Sequence, residues 1–324
     1  MAGYYDVFNG DADGICALHQ LRLAEPRPAA GLITGVKRDS RLLAKIAHAK
    51  NAAITVLDIS LDTNRQKLAA LLTNGCHILY IDHHYAGLLP EPAAGTLETH
   101  IDPSPDTCTS LIVDRLLEGR YRAWAAAGAF GDNLHEAGAG AAAALSLSSE
   151  ETGILKELGE LLNYNGYGLT IEDLHFHPEK LYRAVAPFAD PFAFWEKSAE
   201  MEILRAGFRS DMEKTAGCQA ANSSEGGRVF ILPAEAWARR TVGVFSNDKA
   251  REKPDLAHAI LVKNNDRSFR VSVRAPLARQ NGADSLCRQF STGGGRAAAA
   301  GINALPEQEL DRFIEKFTAA FSRT

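Results

Sequence analysis

Acidic and imidazole side chains recur in this chain where a short apolar run gives way to a turn. The first group is Asn9-Gly10-Asp11-Ala12-Asp13-Gly14, after the run Tyr4–Phe8. The second is Asp58, which closes the run AAITVLD. The third is Asp82-His83-His84, directly after HILYI, and the fourth is Asp132, in the glycine-bounded segment GAFGDN. Two carboxylates one residue apart, as in Asp11 and Asp13, diverge and can reach different ions. Gly10 and Gly14 permit the tight turn such a loop needs. Imidazole and carboxylate together suit Mn2+, and also Fe2+ or Zn2+. A pair of divalent ions needs several carboxylates, one of them shared. Each acidic group alone has a plainer role, since strand-end aspartates often cap the next helix and Asp-x-Asp-Gly is a common loop. Paired histidines directly after a strand-end aspartate are rarer, and the four groups together favour a dinuclear centre.

These groups matter only if the chain gathers them. Tyr4–Phe8, Gly31–Val36, Ala53–Ile59 and His77–Ile81 predict strands, and 14–24, 41–49 and 65–72 predict helices between them. Alternation of this kind, with continuously apolar strands, implies a parallel sheet covered on both faces. Such sheets place their sites beyond the carboxyl ends of the strands, where three of the four groups fall. Residues 107–210 read mainly as helix, including the Ala-rich stretch 137–146 and the capping pattern Ser148-Ser149-Glu150-Glu151. The cluster Pro187–Trp195 is followed by a charged helical stretch to about Arg209 that reads as a connector. Beyond it, strands at 229–232, 257–263 and 268–274 mix with helices at 234–245, near 283–290 and near 306–321. The expected fold class is α/β: a parallel-sheet domain over 1–190, a helical connector over 191–212 and a smaller mixed α/β domain over 213–324.

Composition narrows the function. The 324 residues are 46% hydrophobic and 23% charged, which fits a soluble globular chain of two domains. No apolar run of about 18 residues exists, which excludes a membrane-spanning helix, and the first residues lack the pattern of a signal peptide. Cys16, Cys76, Cys108, Cys218 and Cys287 lie far apart and form no CxxC pair, as in a reducing, cytoplasmic setting. A net charge of −5 argues against a protein that coats long nucleic acid, duplex or otherwise. Residues 1–210 hold 18 Lys and Arg against 27 Asp and Glu, whereas 211–324 hold 17 against 13. An acidic part beside a basic part is what a metal site facing an anionic substrate needs, although chance surface variation also produces it.

The motifs, taken in order, resemble the DHH phosphoesterases with their C-terminal DHH-associated domain, over nearly the whole chain. Asn9–Gly14 resembles the first family motif, Asp58 the second, Asp82-His83-His84 the third and Asp132 the fourth. Val271-Ser272-Val273-Arg274 and Ser291–Gly301 (STGGGRAAAAG) resemble the serine-arginine strand and glycine-rich motif of the associated domain. The resemblance implies two metal ions, Mn2+ or alternatively Mg2+, bridged by Asp58. One ion would be held by Asp11, Asp58 and position 9, the other by Asp13, Asp58, His83 and Asp132. His84 would face the phosphate or the attacking water, and Asp82 would orient the histidines. Ser272, Arg274 and the backbone of Gly293, Gly294 and Gly295 would bind substrate, with Thr109 and Ser110 near the phosphate. Two positions depart from the family pattern. Asn9 stands where histidine is usual, and its neutral amide oxygen implies a looser first ion or a harder one. Arg296 stands where histidine is usual, and its planar fork suits phosphate.

The resulting expectation is a hydrolase of short oligonucleotides or small nucleotides, with catalysis by a metal-activated water in the cleft between domains. Candidate substrates are short RNAs, 3′-phosphoadenosine-5′-phosphate and linear or cyclic dinucleotides. The alternatives are a single-strand-specific 5′–3′ exonuclease and a nucleotide-binding regulator with weakened catalysis. A homodimer is left open. Weaker signals are read structurally. His175 and His177 are expected in a surface loop, Gly138–Ala143 in a small-residue helix, and Asp102 and Asp106 in capping roles.

Overall fold

The computed structural model describes residues 3–91 and 94–322. The chain divides into two compact units between Ala206 and Gly207. In the first unit, β1 (Tyr4–Phe8), β2 (Gly31–Ile33), β3 (Ala53–Leu57), β4 (His77–Asp82) and β5 (Thr96–Ile101) form one sheet in the order β2-β1-β3-β4-β5. Every pair in it is parallel. Ile54, Thr55, Val56 and Leu57 are all buried, so successive side chains on opposite faces are both covered. Val7, Leu43, Ile54, Val56, Leu68 and Tyr80 belong to the core on one face.

The helices are α1 (Ala12–Ala24), α2 (Leu61–Thr73), α3 (Thr109–Leu116), α4 (Arg122–Gly131), α5 (His135–Ala143), α6 (Ser149–Gly166), α7 (Pro178–Val185), α8 (Pro191–Lys197) and α9 (Ala199–Ala216). The helix predicted over 41–49 is instead a 3-10 segment, Leu42–Ile46, with Leu42, Leu43 and Ile46 buried. Ser148 and Glu151 form a capping box at the start of α6, as their spacing predicts. Small residues let α4 approach its neighbours. A Cβ on Gly131 would lie 2.3 Å from the Ala12 Cβ, and one on Gly159 of α6 would lie 2.0 Å from the Ala127 carbonyl oxygen. This close packing fixes where α4 ends, and Asp132 is its C-cap.

The second unit has a six-stranded sheet in the order β10-β11-β9-β8-β7-β6. Its strands are β6 (Asn222–Ser223), β7 (Gly227–Leu232), β8 (Ala257–Lys263), β9 (Ser268–Arg274), β10 (Gly293–Gly295) and β11 (Ala299–Pro306). Only β7 and β8 pair in parallel, so the sheet is mixed. Helices α10 (Ala236–Glu252), α11 (Ala283–Cys287) and α12 (Leu310–Ala320) complete the unit. Phe313, Phe317 and Phe321, one helical turn apart, enter its core. The glycine run 293–295 is an edge strand. It turns back at Arg296, whose N–H donates to the Ala299 carbonyl at 2.9 Å. Among the described residues no helix is long and apolar enough to cross a membrane.

Candidate metal centre

β1, β3 and β4 are adjacent and parallel, so their carboxyl ends lie side by side. Backbone bonds continue past the strands. The Asn9 N–H donates to Leu57 O at 3.2 Å, and the Asp58 N–H to Ile81 O at 3.1 Å. This registers the motif residues against one another before any side-chain contact is considered. Asp58 adopts a left-handed φ of 56°, a conformation that aspartate tolerates better than most residues but that still costs about 1 kcal/mol or more. Gly10 and Gly14 have a steric role rather than a conformational one. A Cβ on Gly10 would lie 2.0 Å from Gly35 O, and one on Gly14 would lie 2.2 Å from Asn9 O.

Among the described residues, two overlapping groups of side chains could hold a metal ion: Asp13, His83 and Asp132, and Asp58, His83 and His84. His83 Nε2 is 3.4 Å from Asp58 Oδ1 and 3.7 Å from Asp132 Oδ2. Its other nitrogen, Nδ1, is 3.0 Å from Thr107 O and donates to it, which leaves a lone pair on Nε2 facing the carboxylates. That tautomer is the one a ligating histidine needs. His84 Nδ1 donates to Asp82 Oδ1 at 2.7 Å, and the same oxygen accepts the His83 backbone N–H at 2.9 Å. Asp82 is fully buried. Asp13 is held at the start of α3, where its two oxygens accept the Thr109 and Ser110 N–H groups at 2.8 and 2.7 Å. Ser110 Oγ also donates to Asp13 O.

The electrostatics point the same way. Burial and the neighbouring carboxylates of Asp11 and Asp13 raise the Asp58 carboxyl well above its ordinary value. Asp13 is also raised, chiefly by burial. For His83, burial disfavours the charged ring, but Asp13, Asp132 and Asp82 outweigh it and raise the value. Asp11 moves the other way. Burial opposes its ionisation, yet the Lys37 ammonium at 2.6 Å outweighs that and holds it below the ordinary range. Four clustered carboxylates against one ammonium leave an excess of negative charge in a mostly buried space. A divalent cation would supply the balancing charge, and the donor set around Asp13, Asp58, His83 and Asp132 fits one. Asn9 is anchored through its amide nitrogen, which leaves the amide oxygen as its available ligand atom. Its Nδ2 donates to Lys37 O at 3.2 Å, and its Oδ1 is buried without a hydrogen-bond partner among the described residues.

Several residues have structural roles. Thr109 and Ser110 are fully buried and sit behind Asp13, so they position that carboxylate rather than face open space. His175 bonds Tyr164 Oη at 2.8 Å, and His177 caps α7 through the Glu179 N–H. Both are half-buried, not exposed as the loop reading implies. Asp102 accepts from Ser104 and Arg115. In the second unit, Arg274 Nε donates to Asn247 Oδ1 at 2.9 Å and Nη1 to Ser272 Oγ at 3.0 Å. Arg296 is exposed at the β10–β11 turn. Sequence reasoning missed Lys37, Asn163 and the Thr107 carbonyl. Lys37 was within reach of the same logic, because it follows the carboxyl end of β2.

No family model matches the chain, and no curated protein matches it. Solved structures do match. Exonuclease RecJ bound to manganese superposes with a TM-score of 0.65 at 18% identity, covering 99% of this chain and 90% of that one. RecJ from Thermus thermophilus in complex with Mn2+ gives 0.63 at 19% identity, with 99% and 52% covered. This chain thus spans about half the length of the Thermus protein. The pGpG-specific phosphodiesterase PggH from Vibrio cholerae gives 0.54 at 13% identity, with 99% of both chains covered. At these identities the likeness is one of fold. The chain has the two-part fold of RecJ and PggH, the fold of the DHH phosphoesterases.

Proposed function

We propose that this protein is a divalent-metal-dependent phosphoesterase that hydrolyses phosphate esters of short oligonucleotides or small nucleotides. The observation that carries the reading is the convergence of Asp13, Asp58, His83, His84 and Asp132 beyond three adjacent parallel strands. Manganese in the RecJ structures supports Mn2+ as the ion, and PggH, specific for pGpG, supports a small nucleotide substrate. When bound, the metal lowers the pKa of a coordinated water and neutralises charge on the phosphate. Asp58, Asp13, His83 and Asp132 would hold the ion. His84, anchored by Asp82, presents its other nitrogen to the phosphate or the water. Arg274, Ser272, Arg296 and the backbone of Gly293–Gly295, all in the second unit, are the groups that would read a phosphate.

The test is hydrolysis with Mn2+ across short RNAs, pGpG, cyclic dinucleotides and 3′-phosphoadenosine-5′-phosphate, with long single-stranded DNA alongside. Turnover of one or more small substrates is expected, and Asp58→Ala should reduce it to background. The likeness to RecJ favours a second reading as an exonuclease, which degradation of the long strand would establish. Undiminished activity in Asp58→Ala would reject the metal assignment. Tight nucleotide binding with no product from any substrate would instead indicate a regulatory binding protein.

A further inference from the structure

The loop after β2 places a cation where the resemblance leads one to expect a metal ion. Lys37 is anchored at both ends. Its backbone N–H donates to Gly166 O at 2.9 Å, at the end of α6, and its carbonyl accepts from Asn9 Nδ2. Its Nζ lies 2.6 Å from Asp11 Oδ2, 2.9 Å from Asn163 Oδ1 and 3.2 Å from Asp132 Oδ1. An ammonium has three N–H donors, and three oxygens from three elements accept them. The Tyr167 ring lies 5.6 Å from Nζ and adds a cation–π contact. Asp132 divides its oxygens. Oδ1 faces Lys37, and Oδ2 faces His83.

Asp11 Oδ2 holds the ammonium and Oδ1 accepts the Gly14 N–H at 3.0 Å, so an ion beside Asp11 would compete for oxygens already in use and would sit against a like charge at close range. It would also need a ligand at position 9. There the Asn9 amide oxygen is buried without a hydrogen-bond partner among the described residues, and it is a weaker, neutral ligand than an imidazole. We propose that the Lys37 ammonium occupies the place of one ion of a dinuclear pair, so that the centre binds a single divalent ion on the side of Asp13, Asp58, His83 and Asp132. The proposal rests on the metal-dependent reading above and replaces one of the two ions which that family resemblance implies. Asn9 and Lys37 act together in it. The short amide leaves room for the lysine backbone, and the lysine side chain supplies a permanent single charge that chelators do not remove.

Metal stoichiometry tests the proposal without recourse to activity. The wild-type chain is dialysed against saturating Mn2+, its metal content is measured, and its electron paramagnetic resonance spectrum is recorded. One equivalent with the hyperfine pattern of an isolated Mn2+ is expected. The double variant Asn9→His/Lys37→Ala, which restores an imidazole and removes the ammonium, should bind two equivalents and show an exchange-coupled pair. Two equivalents in the wild type would overturn the proposal while leaving the metal-dependent reading intact. A double variant that still binds one ion would remove Lys37 as the cause. No bound Mn2+ in the wild type would overturn the metal-dependent reading, and this proposal with it.

Discussion

Asp82 shows how one buried residue can set up two others. Its Oδ1 accepts both the His83 backbone N–H and the His84 ring Nδ1–H. The first bond fixes the turn after β4. The second fixes the His84 tautomer, so that Nε2 carries the lone pair. His84 stays partly exposed, with 41% of its side chain accessible, as a group that meets substrate must. Burial disfavours a charged His84, but its bond and charge contact with Asp82 outweigh this and raise its value. Asp82→Asn keeps the size and removes the charge. It should lower kcat roughly 10–100-fold, the usual cost of losing a partner that orients such a ring, with the circular dichroism spectrum and Mn2+ content unchanged. A variant as active as wild type would show that His84 needs no such anchor. At this scale the sequence displays which aspartates and histidines cluster, because strand-end position is visible in the hydrophobic pattern. It does not display partners drawn from distant loops. Nothing in the local pattern marks Thr107 O as the acceptor for His83, or Asn163 as an acceptor for Lys37, since both depend on how α3 and α6 pack.

Elements hold the centre from behind, and α1 contributes Asp11 and Asp13 to it. Asp11 is its N-cap, Asp13 lies in its first turn, and it carries His19, which is almost fully buried. His19 Nε2 donates to Phe188 O at 2.7 Å, and its ring packs edge-on against Trp124, 4.7 Å between centroids. Trp124 Nε1 donates to Ala189 O at 2.9 Å. Two rings on α1 and α4 thus pin the segment at 188–189. That segment lies in the aromatic and proline cluster that reads in the sequence as the approach to a connector, yet Phe194 within it is fully buried. The cluster is core because its partners, His19 and Trp124, come from far upstream. Strands with branched or aromatic side chains were legible, and the Ala- and Gly-rich β11 was not, since its pairing with β9 supplies the order its own residues do not signal. Burial lowers the His19 pKa to about 4 from 6.5. The folded ring therefore stays neutral where the unfolded ring takes up a proton. Stability contributed in this way is complete above the unfolded value, falls as pH drops through 6.5, and levels off below about 4. Between about pH 7 and about pH 5 the loss should be about 2 kcal/mol. Urea melts of wild type and His19→Gln at the two pH values measure it, and an equal pH dependence in both would show that His19 is not its source.

On the scale of the whole molecule, the two units differ in charge balance, and the proposed function gives them different parts. Residues 1–210 hold the excess of acidic side chains and every candidate metal ligand, while 211–324 hold the excess of basic ones. The division makes physical sense if the first unit concentrates cations and the second reads an anion. Arg274 is the side chain on which that idea is most open to test. Asn247 holds its Nε and Ser272 its Nη1, so the guanidinium plane is fixed before any ligand arrives. A fixed, planar, permanently charged fork suits a phosphate, and a pre-ordered one loses less entropy on binding. A hydrogen bond to a charged group contributes about 1.5–3 kcal/mol, so Arg274→Ala should raise KM by roughly 10–100-fold while leaving kcat and Mn2+ content near wild type. Arg274→Lys keeps the charge but not the fork and should recover only part of the loss. A fall in kcat at unchanged KM would place the guanidinium on the transition state instead. No change in either constant would mean that the substrate is read within the first unit alone, and the basic excess of the second would then need another explanation.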